Sequence, residues 1–347
     1  MDMTYPLSGL PDYIRLIKGG VFHMNIKYVA ADCGKANTKV FMYDVKTSNT
    51  ANIIIATNVA PVNSLVKASM GESQYIVSID IDDENISGEW MIGAVGGESS
   101  YSNSKKDRIH KIMALVGIAL ITQNGDTVVP AIGCPISIFE DEQQKAELYD
   151  YLIPDGRVDI RVNGVDHFFY VEKEKGMVFP ESFGALFLFP DRFTDQTGVV
   201  DIGGLNMNAS FFNGMKLDPD LCTTEKLGCS AIVSALRKKL NALCDASYDD
   251  RRIESFLKAG TVPSFVEGNK VIEDVLTMHV DKIDRVLKDW DTSKIDMIFI
   301  GGTSRLLEKH ILERYGDRAF IPEDTDFINC KGFLKAMVSM SGYTCPF

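Results

Sequence analysis

The sequence lacks any apolar run near the ~20 residues that a membrane-spanning helix needs. It also lacks an excess of basic residues: 48 acidic side chains stand against 36 basic ones, a formal net charge of −12. Direct binding to a nucleic-acid backbone is therefore not expected. The two dense basic segments, 105–108 and 237–239, are expected to be solvated helix faces.

The seven cysteines are scattered, with no Cys-x-x-Cys and no His pair at metal-ligand spacing. Neither a zinc site nor a disulfide framework is indicated, and a reducing, cytoplasmic setting is expected. Four catalytic signatures are also absent: the P-loop, the Rossmann Gly-x-Gly-x-x-Gly, Gly-x-Ser-x-Gly and His-Glu-x-x-His. Residues 34–38 resemble a P-loop only superficially. These absences disfavour P-loop NTPases, Rossmann dehydrogenases, α/β-hydrolases and zinc proteases.

A hairpin with an acidic turn is present twice, about half the chain apart, at 28–41 and 198–212. Each copy is an apolar run, an aspartate (Asp32 or Asp201), a glycine turn and a second apolar run. Glycine lets backbone N–H groups approach an anionic ligand closely. A carboxylate beside a phosphate needs a cation, and Mg²⁺ held partly through water is the usual solution. The duplication therefore predicts a clamp for a nucleotide and its metal.

At 347 residues, with 45% hydrophobic content, the chain is expected to form two closely joined domains of a soluble globular protein. Strand-like runs alternate with helical periodicity, which predicts a mixed α/β fold. Asn163-Gly164 is a strong hairpin-turn signal. The pattern predicts strands throughout 26–95 and at 127–132, 158–162, 167–171 and 295–300, and helices at 107–123, 139–151, from Phe179, 224–243, 252–258, 270–290 and 329–340.

Five segments in this order resemble the actin-like ATPase superfamily. They are Asp32-Cys-Gly34, a helix carrying Pro180-Glu181-Ser182, Asp201-Ile-Gly-Gly204, Ile300-Gly301-Gly302, and a closing helix with Asn329-Cys-Lys-Gly332. With Leu227-Gly228-Cys229-Ser230, the set is most similar to ParM-type plasmid-segregation actins of bacteria. The resemblance implies an α/β actin-like fold, shared with Hsp70 and sugar kinases, with two related domains around a nucleotide cleft. Domain I is expected at 24–183 plus 325–347, and domain II at 184–324.

The resemblance also implies roles for individual residues. Asp32 and Asp201 would orient Mg²⁺ through water, and Glu181 would activate the attacking water. Glu181 alone would equally suit a helix N-terminus. Where the family commonly has hydroxyl residues, this chain has Lys35-Ala36 and Leu205-Asn206. The residues implied in nucleotide contact are Gly34, Lys35, Asn37, Lys39, Gly203, Gly204, Asn206, Glu225, Lys226, Gly301, Gly302 and Thr303.

By this resemblance, the protein is expected to be an ATPase whose filaments segregate plasmid DNA, with ATP and Mg²⁺ as cofactors and GTP left open. Its expected partners are further copies of itself and a small DNA-binding adaptor, with no membrane contact. The alternatives are another actin-like cytoskeletal filament, a small-molecule kinase and a chaperone ATPase. Residues 1–23 are expected to be a leader outside the core. Lys18-Gly19-Gly20 resembles a translated ribosome-binding site, which suggests Met24 as the natural start.

Overall fold

The computed structural model describes residues 25–62, 74–93, 97–100, 105–263 and 265–347. The expected leader and the suggested start at Met24 lie outside these residues. Across the described ranges, no helix has both the length and the apolar character to cross a membrane.

Within the described residues, the first sheet has ten strands in the order β3-β2-β1-β7-β9-β8-β5-β6-β4, with β10 also paired to β7. Its central strand β1 is antiparallel to β2 and parallel to β7. The bounds are β1 (Ile26–Cys33), β2 (Asn37–Asp44), β3 (Thr50–Ala56), β4 (Val59–Pro61), β5 (Tyr75–Asp80), β6 (Gly88–Ile92), β7 (Thr127–Cys134), β8 (Gly156–Val162), β9 (Val165–Val171) and β10 (Met177–Pro180).

Helices cover both faces of this sheet, so β1 is buried along almost its whole length. Val29 and Ala31 pack on one face with the helix Arg108–Ile121. Tyr28 and Ala30 pack on the other face with the closing helix Ile328–Met340. Because β1 ends between two helical layers, a residue at its end lies at the edge of the core, where a cleft can form.

The second sheet has five strands in the order β13-β12-β11-β14-β15. It repeats the centre of the first sheet: β11 is antiparallel to its hairpin partner β12 and parallel to β14. Its helices bury a separate core. The bounds are β11 (Gln196–Ile202), β12 (Met207–Asn213), β13 (Lys216–Glu225), β14 (Asp296–Ile300) and β15 (Ala319–Phe320), with helices Cys229–Cys244, Asp250–Ala259, Gly268–Val286, Gly302–Leu306 and Glu308–Tyr315.

The hairpin predicted at Asn163-Gly164 is confirmed. The two residues have φ of 49° and 82°, and Val162 pairs with Val165. Several predicted helices have different bounds. The helix predicted at 139–151 is divided into Ile136–Phe139 and Glu142–Leu152. The division occurs because the side chain of Asp141 accepts a hydrogen bond from the Gln144 N–H and starts a new helix.

The helix predicted from Phe179 begins only at Phe183. Met177–Pro180 is strand β10, which pairs with β7 alone, so the missing N–H of Pro180 breaks no ladder. The chain then turns through Ser182, whose φ is 74°. Glu181 therefore lies in a turn between a strand of the first sheet and a short helix, rather than inside a helix.

The short helix Phe183–Leu188 crosses the closing helix Ile328–Met340 at a contact between two glycines. A Cβ atom added to Gly332 would lie 2.2 Å from the carbonyl oxygen of Gly184 and 2.4 Å from its Cα. A Cβ added to Gly184 would lie 2.4 Å from the Cα of Asn329. The two helices approach each other this closely only because neither glycine has a side chain.

Candidate functional site

A cavity of about 870 Å³ lies between the two sheets. The turn after β1 lines it from one side and the turn after β11 from the other. Its volume is within the range typical of small-molecule and cofactor sites. The two hairpins that the sequence duplicates therefore face one another across one cleft.

The two turns also touch each other. A Cβ atom added to Gly204 would lie 2.3 Å from the Cβ of Ala36. The main-chain N–H groups of Cys229 and Ser230 donate hydrogen bonds of 3.1 and 2.9 Å to the carbonyl oxygens of Gly203 and Gly204. These bonds hold the carbonyl oxygens of the second turn toward the helix Cys229–Cys244. These two carbonyl oxygens, which would repel a phosphate group, are therefore already hydrogen-bonded within the protein.

Two aspartates stand at the ends of β1 and β11, and both are buried. Burial alone would raise the pKa of Asp32, but Lys105 and Lys39 hold it below its ordinary value. Burial raises the pKa of Asp201 to about 6; Lys39 opposes this shift, whereas the nearby carboxylates of Asp32 and Glu181 add to it. Burial would lower the pKa of Lys39, but Asp32 and Asp201 raise it. Lys39 is thus a cation shared by the two aspartates.

Glu181 projects into the cavity and is held from both sides. Its Oε1 atom lies 2.5 Å from Nζ of Lys105. Its Oε2 atom accepts a hydrogen bond of 2.8 Å from Nδ2 of Asn208, whose Oδ1 accepts one of 2.9 Å from Oγ1 of Thr224. The carboxylate therefore contacts a cation of the first sheet's layer and an amide of the second sheet.

Asn329 links the turn after Glu181 to the second aspartate. Its Oδ1 atom accepts a hydrogen bond of 3.1 Å from the N–H of Ser182, and its Nδ2 donates one of 2.9 Å to Oδ2 of Asp201. The sequence contains a signal for this residue, because Asn329 lies four residues before Phe333 and so shares the apolar face of its helix. Asn329 belongs to the closing-helix motif but was not predicted as a site residue.

Lys105 and Asn208 were also missed by sequence reasoning. Lys105 was expected on a solvated helix face, and this expectation was wrong: its side chain is buried and contacts Glu181 and Asp32. Burial would lower the pKa of Lys105, but Glu181 and Asp32 raise it above its ordinary value. Nothing in the local sequence separates Lys105 from its neighbour Lys106, whose side chain is 43% exposed.

The structure brings most of the predicted site residues to one cavity. Those that line it are Asp32, Gly34, Lys35, Asn37, Lys39, Glu181, Asp201, Gly203, Gly204, Asn206, Gly302 and Thr303. Thr303 is also tied to the second turn, since its Oγ1 donates a hydrogen bond of 2.8 Å to the carbonyl oxygen of Gly203. Gly301 lies behind the lining: its φ is 84°, and an added Cβ would lie 2.5 Å from Oδ1 of Asp201.

Glu225 and Lys226 do not line the cavity. Their predicted position at the start of a helix was wrong. Glu225 is the last residue of β13 and lines a different, smaller pocket. The helix begins at Cys229, after the turn at Gly228. The sequence pattern predicted no strand at 216–225, and β13 extends to Glu225 because Thr224 and Glu225 pair with Asn208 and Met207 of β12.

Within the described residues, no group of three or more His, Cys, Asp or Glu side chains is placed to hold a metal ion. Asp32 and Asp201 instead fit a divalent cation held mainly through water and phosphate oxygens, the arrangement that Mg²⁺ prefers. The raised pKa of Asp201 supports this fit, because a cation in the cleft would offset the carboxylates that surround it.

The pKa of Asp201 gives a testable pH dependence for the protein without metal or nucleotide. Because the folded-state pKa lies above the unfolded value, ionised Asp201 lowers stability above about pH 6, and the penalty fades as the pH falls toward 4. We expect Asp201→Asn to melt above the wild type at pH 7.5, with the difference shrinking at pH 5. Thermal unfolding measured in EDTA checks this; a difference independent of pH would contradict it.

Comparisons with known proteins agree with this architecture. Residues 30–184 match the family model described as "Actin like proteins N terminal domain". The search of curated proteins gave no match. Among solved structures, the chain is similar to the archaeal actin homolog Ta0583 in complex with ADP (TM-score 0.68, 16% identity, covering 89% of this chain and 98% of that chain).

Two filament structures are also similar to this chain. One is a 15-stranded ParM filament from Clostridium botulinum (TM-score 0.69, 15% identity, covering 91% of this chain and 100% of that chain). The other is an Alp12 filament (TM-score 0.65, 20% identity, covering 92% of this chain and 100% of that chain). The chain therefore has the actin-like fold. The match over residues 30–184 agrees with the expected resemblance to actin-like proteins, and the likeness to the ParM filament is one of fold.

Proposed function

We propose that this chain is a filament-forming ATPase that segregates plasmid DNA, in which nucleotide binding promotes polymerisation and hydrolysis promotes disassembly. One observation carries the proposal: two equivalent aspartate-bearing turns, one from each sheet, line a single cavity beside Glu181. A phosphate group held between such turns contacts both halves of the molecule. Nucleotide binding would thus set the separation of the two domains, which we place at 24–183 plus 325–347 and at 184–324.

The residues of the cleft suit phosphoryl transfer to water. Bound Mg²⁺ would neutralise the charge that develops on the transferred phosphate. Asp32 and Asp201 would orient that ion through water, and the main-chain N–H groups of the two turns would hold the phosphates. Lys35 lines the cavity where the family commonly has a hydroxyl residue. Glu181 would orient the attacking water and accept its proton, a role that needs a carboxylate within hydrogen-bond reach of the water.

The filament and DNA parts of the proposal are supported by likeness and charge. The similar ParM and Alp12 structures are those of filaments. The net charge of −12 disfavours direct contact with DNA, so a small DNA-binding adaptor would join filaments to a centromere-like plasmid site in the cytoplasm. Purified filaments are therefore expected to leave naked plasmid DNA in the supernatant when they are sedimented.

Light scattering after addition of Mg-ATP, with phosphate release recorded in parallel, tests the proposal. We expect scattering to rise and then to decay as phosphate is released, and EDTA to abolish both signals. Mg-GTP run beside Mg-ATP identifies the preferred nucleotide. If ATP binds but no polymer forms at any protein concentration, the filament proposal is wrong, and a kinase of the same superfamily becomes the alternative.

A further inference from the structure

Lys105 lies in the cleft, but the proposed function assigns it no role. Its side chain is 5% exposed. Its Nζ atom lies 2.5 Å from Oε1 of Glu181 and 3.4 Å from Oδ1 of Asp32. One ammonium group therefore joins the carboxylate proposed to activate water to one of the two carboxylates proposed to orient the metal.

Lys105 lies among several other charged side chains that line the cavity. Five carboxylates line the described cavity, those of Asp32, Glu181, Asp201, Glu254 and Asp326, together with the lysines Lys35, Lys39, Lys105 and Lys258. Lys39 interacts electrostatically with Asp32 and Asp201, whereas the ammonium group of Lys105 is in direct contact with Glu181. An ammonium group has three N–H donors, and a flexible four-carbon stem lets it change partners. It can therefore bind a phosphate oxygen in exchange for one of its carboxylates.

The position of Glu181 identifies which phosphate this would be. The attacking water must lie within hydrogen-bond reach of Glu181 and in line with the phosphate that it attacks. In a nucleoside triphosphate that phosphate is the terminal one, so its oxygens must approach the group that now contacts Glu181. Resting on the proposed function, we infer that Lys105 is a ligand for the terminal phosphate of a nucleoside triphosphate, held in place by Glu181 and Asp32 until that phosphate is bound.

Binding of the terminal phosphate by Lys105 would also change the contacts of Glu181. While Lys105 and Asn208 both contact its carboxylate, the two oxygens are engaged. When the terminal phosphate draws the ammonium group away, Oε1 becomes free to accept a proton from water. A diphosphate lacks that phosphate and would leave the Lys105–Glu181 ion pair in place.

Nucleotide affinity is the first test. Binding of ADP and of a non-hydrolysable ATP analogue, both with Mg²⁺, is measured by calorimetry for wild type, Lys105→Met, Lys105→Arg and Lys106→Met. For Lys105→Met we expect affinity for the analogue to fall about tenfold or more, since a charge-assisted hydrogen bond is lost. Affinity for ADP should change less than about threefold. Lys105→Arg should keep most of the difference in affinity between the analogue and ADP. Lys106→Met, which removes an exposed neighbour, should match the wild type.

A second test uses the nucleotide-free protein. Thermal unfolding of Lys105→Met, Glu181→Gln and the double variant reports whether the two side chains are coupled. The double variant is expected to melt above Lys105→Met, because it removes a buried carboxylate that would otherwise lack its partner. If Lys105→Met alone fails to fold, the binding comparison is made between Glu181→Gln and the double variant.

The outcomes separate the two proposals. If the wild type binds neither nucleotide, the proposed function fails and this inference fails with it. If the wild type binds both nucleotides and Lys105→Met lowers the affinity for both by the same factor, the inference is wrong while the proposed function stands. Additive effects of Lys105→Met and Glu181→Gln on the melting temperature would also overturn it.

Discussion

Glu181→Gln is expected to lower the rate of phosphate release by about 10²- to 10⁴-fold, the range over which a positioned general base contributes. Glutamine keeps the size of the side chain and an oxygen that can accept the hydrogen bond from Asn208. It removes the negative charge and the capacity to take a proton. Nucleotide binding should persist, because the two turns and both aspartates are unchanged. Single-turnover phosphate release, with binding measured beside it, checks this expectation.

The same variant should form filaments that do not disassemble. If hydrolysis causes filaments to disassemble, light scattering by Glu181→Gln after addition of Mg-ATP should rise to a plateau and stay there. Glu142→Gln is a matched control, since the Glu142 side chain is 84% exposed and pairs only locally with Lys145. If Glu181→Gln releases phosphate at the same rate as the wild type and this control, Glu181 takes no part in the reaction.

Gly332→Ala is expected to cost about 2–3 kcal/mol of stability and to lower Tm, although alanine is the better helix former. Helix propensity alone would favour alanine by about 1 kcal/mol. The added methyl group would lie 2.2 Å from the carbonyl oxygen of Gly184, and a backbone atom cannot rotate out of the way. The two helices must move apart, and overpacking of this kind typically costs about 1–3 kcal/mol or more.

Gly117→Ala provides the comparison for this effect. Gly117 is also a buried helical glycine, but its added Cβ would lie 2.4 Å from Cγ2 of Val40, the tip of a side chain. We therefore expect a smaller loss of stability for Gly117→Ala than for Gly332→Ala in thermal unfolding of the nucleotide-free protein. A Gly332→Ala variant that melts at or above the wild-type temperature would show that the helix contact is not tight.

The parts of the fold predicted from sequence were those fixed by short-range patterns. The hairpin turns at Asp32 and Asp201 could be predicted because a strand ending in an acidic residue and a glycine turn is a local signal. Their placement across one cavity followed from the resemblance and from their duplication. Helix ends were less predictable: the strand pairing of Thr224 with Asn208 overrides the helical pattern that begins there.

Residues missed at the site depend on contacts between distant parts of the chain. Lys105 and Lys106 are alike in sequence, and only the approach of Glu181 makes the first a buried ion-pair partner. Asn208 alternates with apolar neighbours along β12, which marks a face of the strand but not its partner. Such roles arise from tertiary placement, which a periodicity or a motif does not encode.

The turn that carries Glu181 is also the place where the chain passes between the two sheets, next to the contact of Gly184 with Gly332. Atoms close to the axis of a domain rotation move less than atoms far from it. Opening or closing of the cleft would therefore change the distance between the two aspartate turns far more than it would displace the Glu181 main chain. The Glu181 main chain would thus stay in place, whereas the hydrogen bond from Asn208 of the second sheet to its carboxylate would change with the separation of the turns.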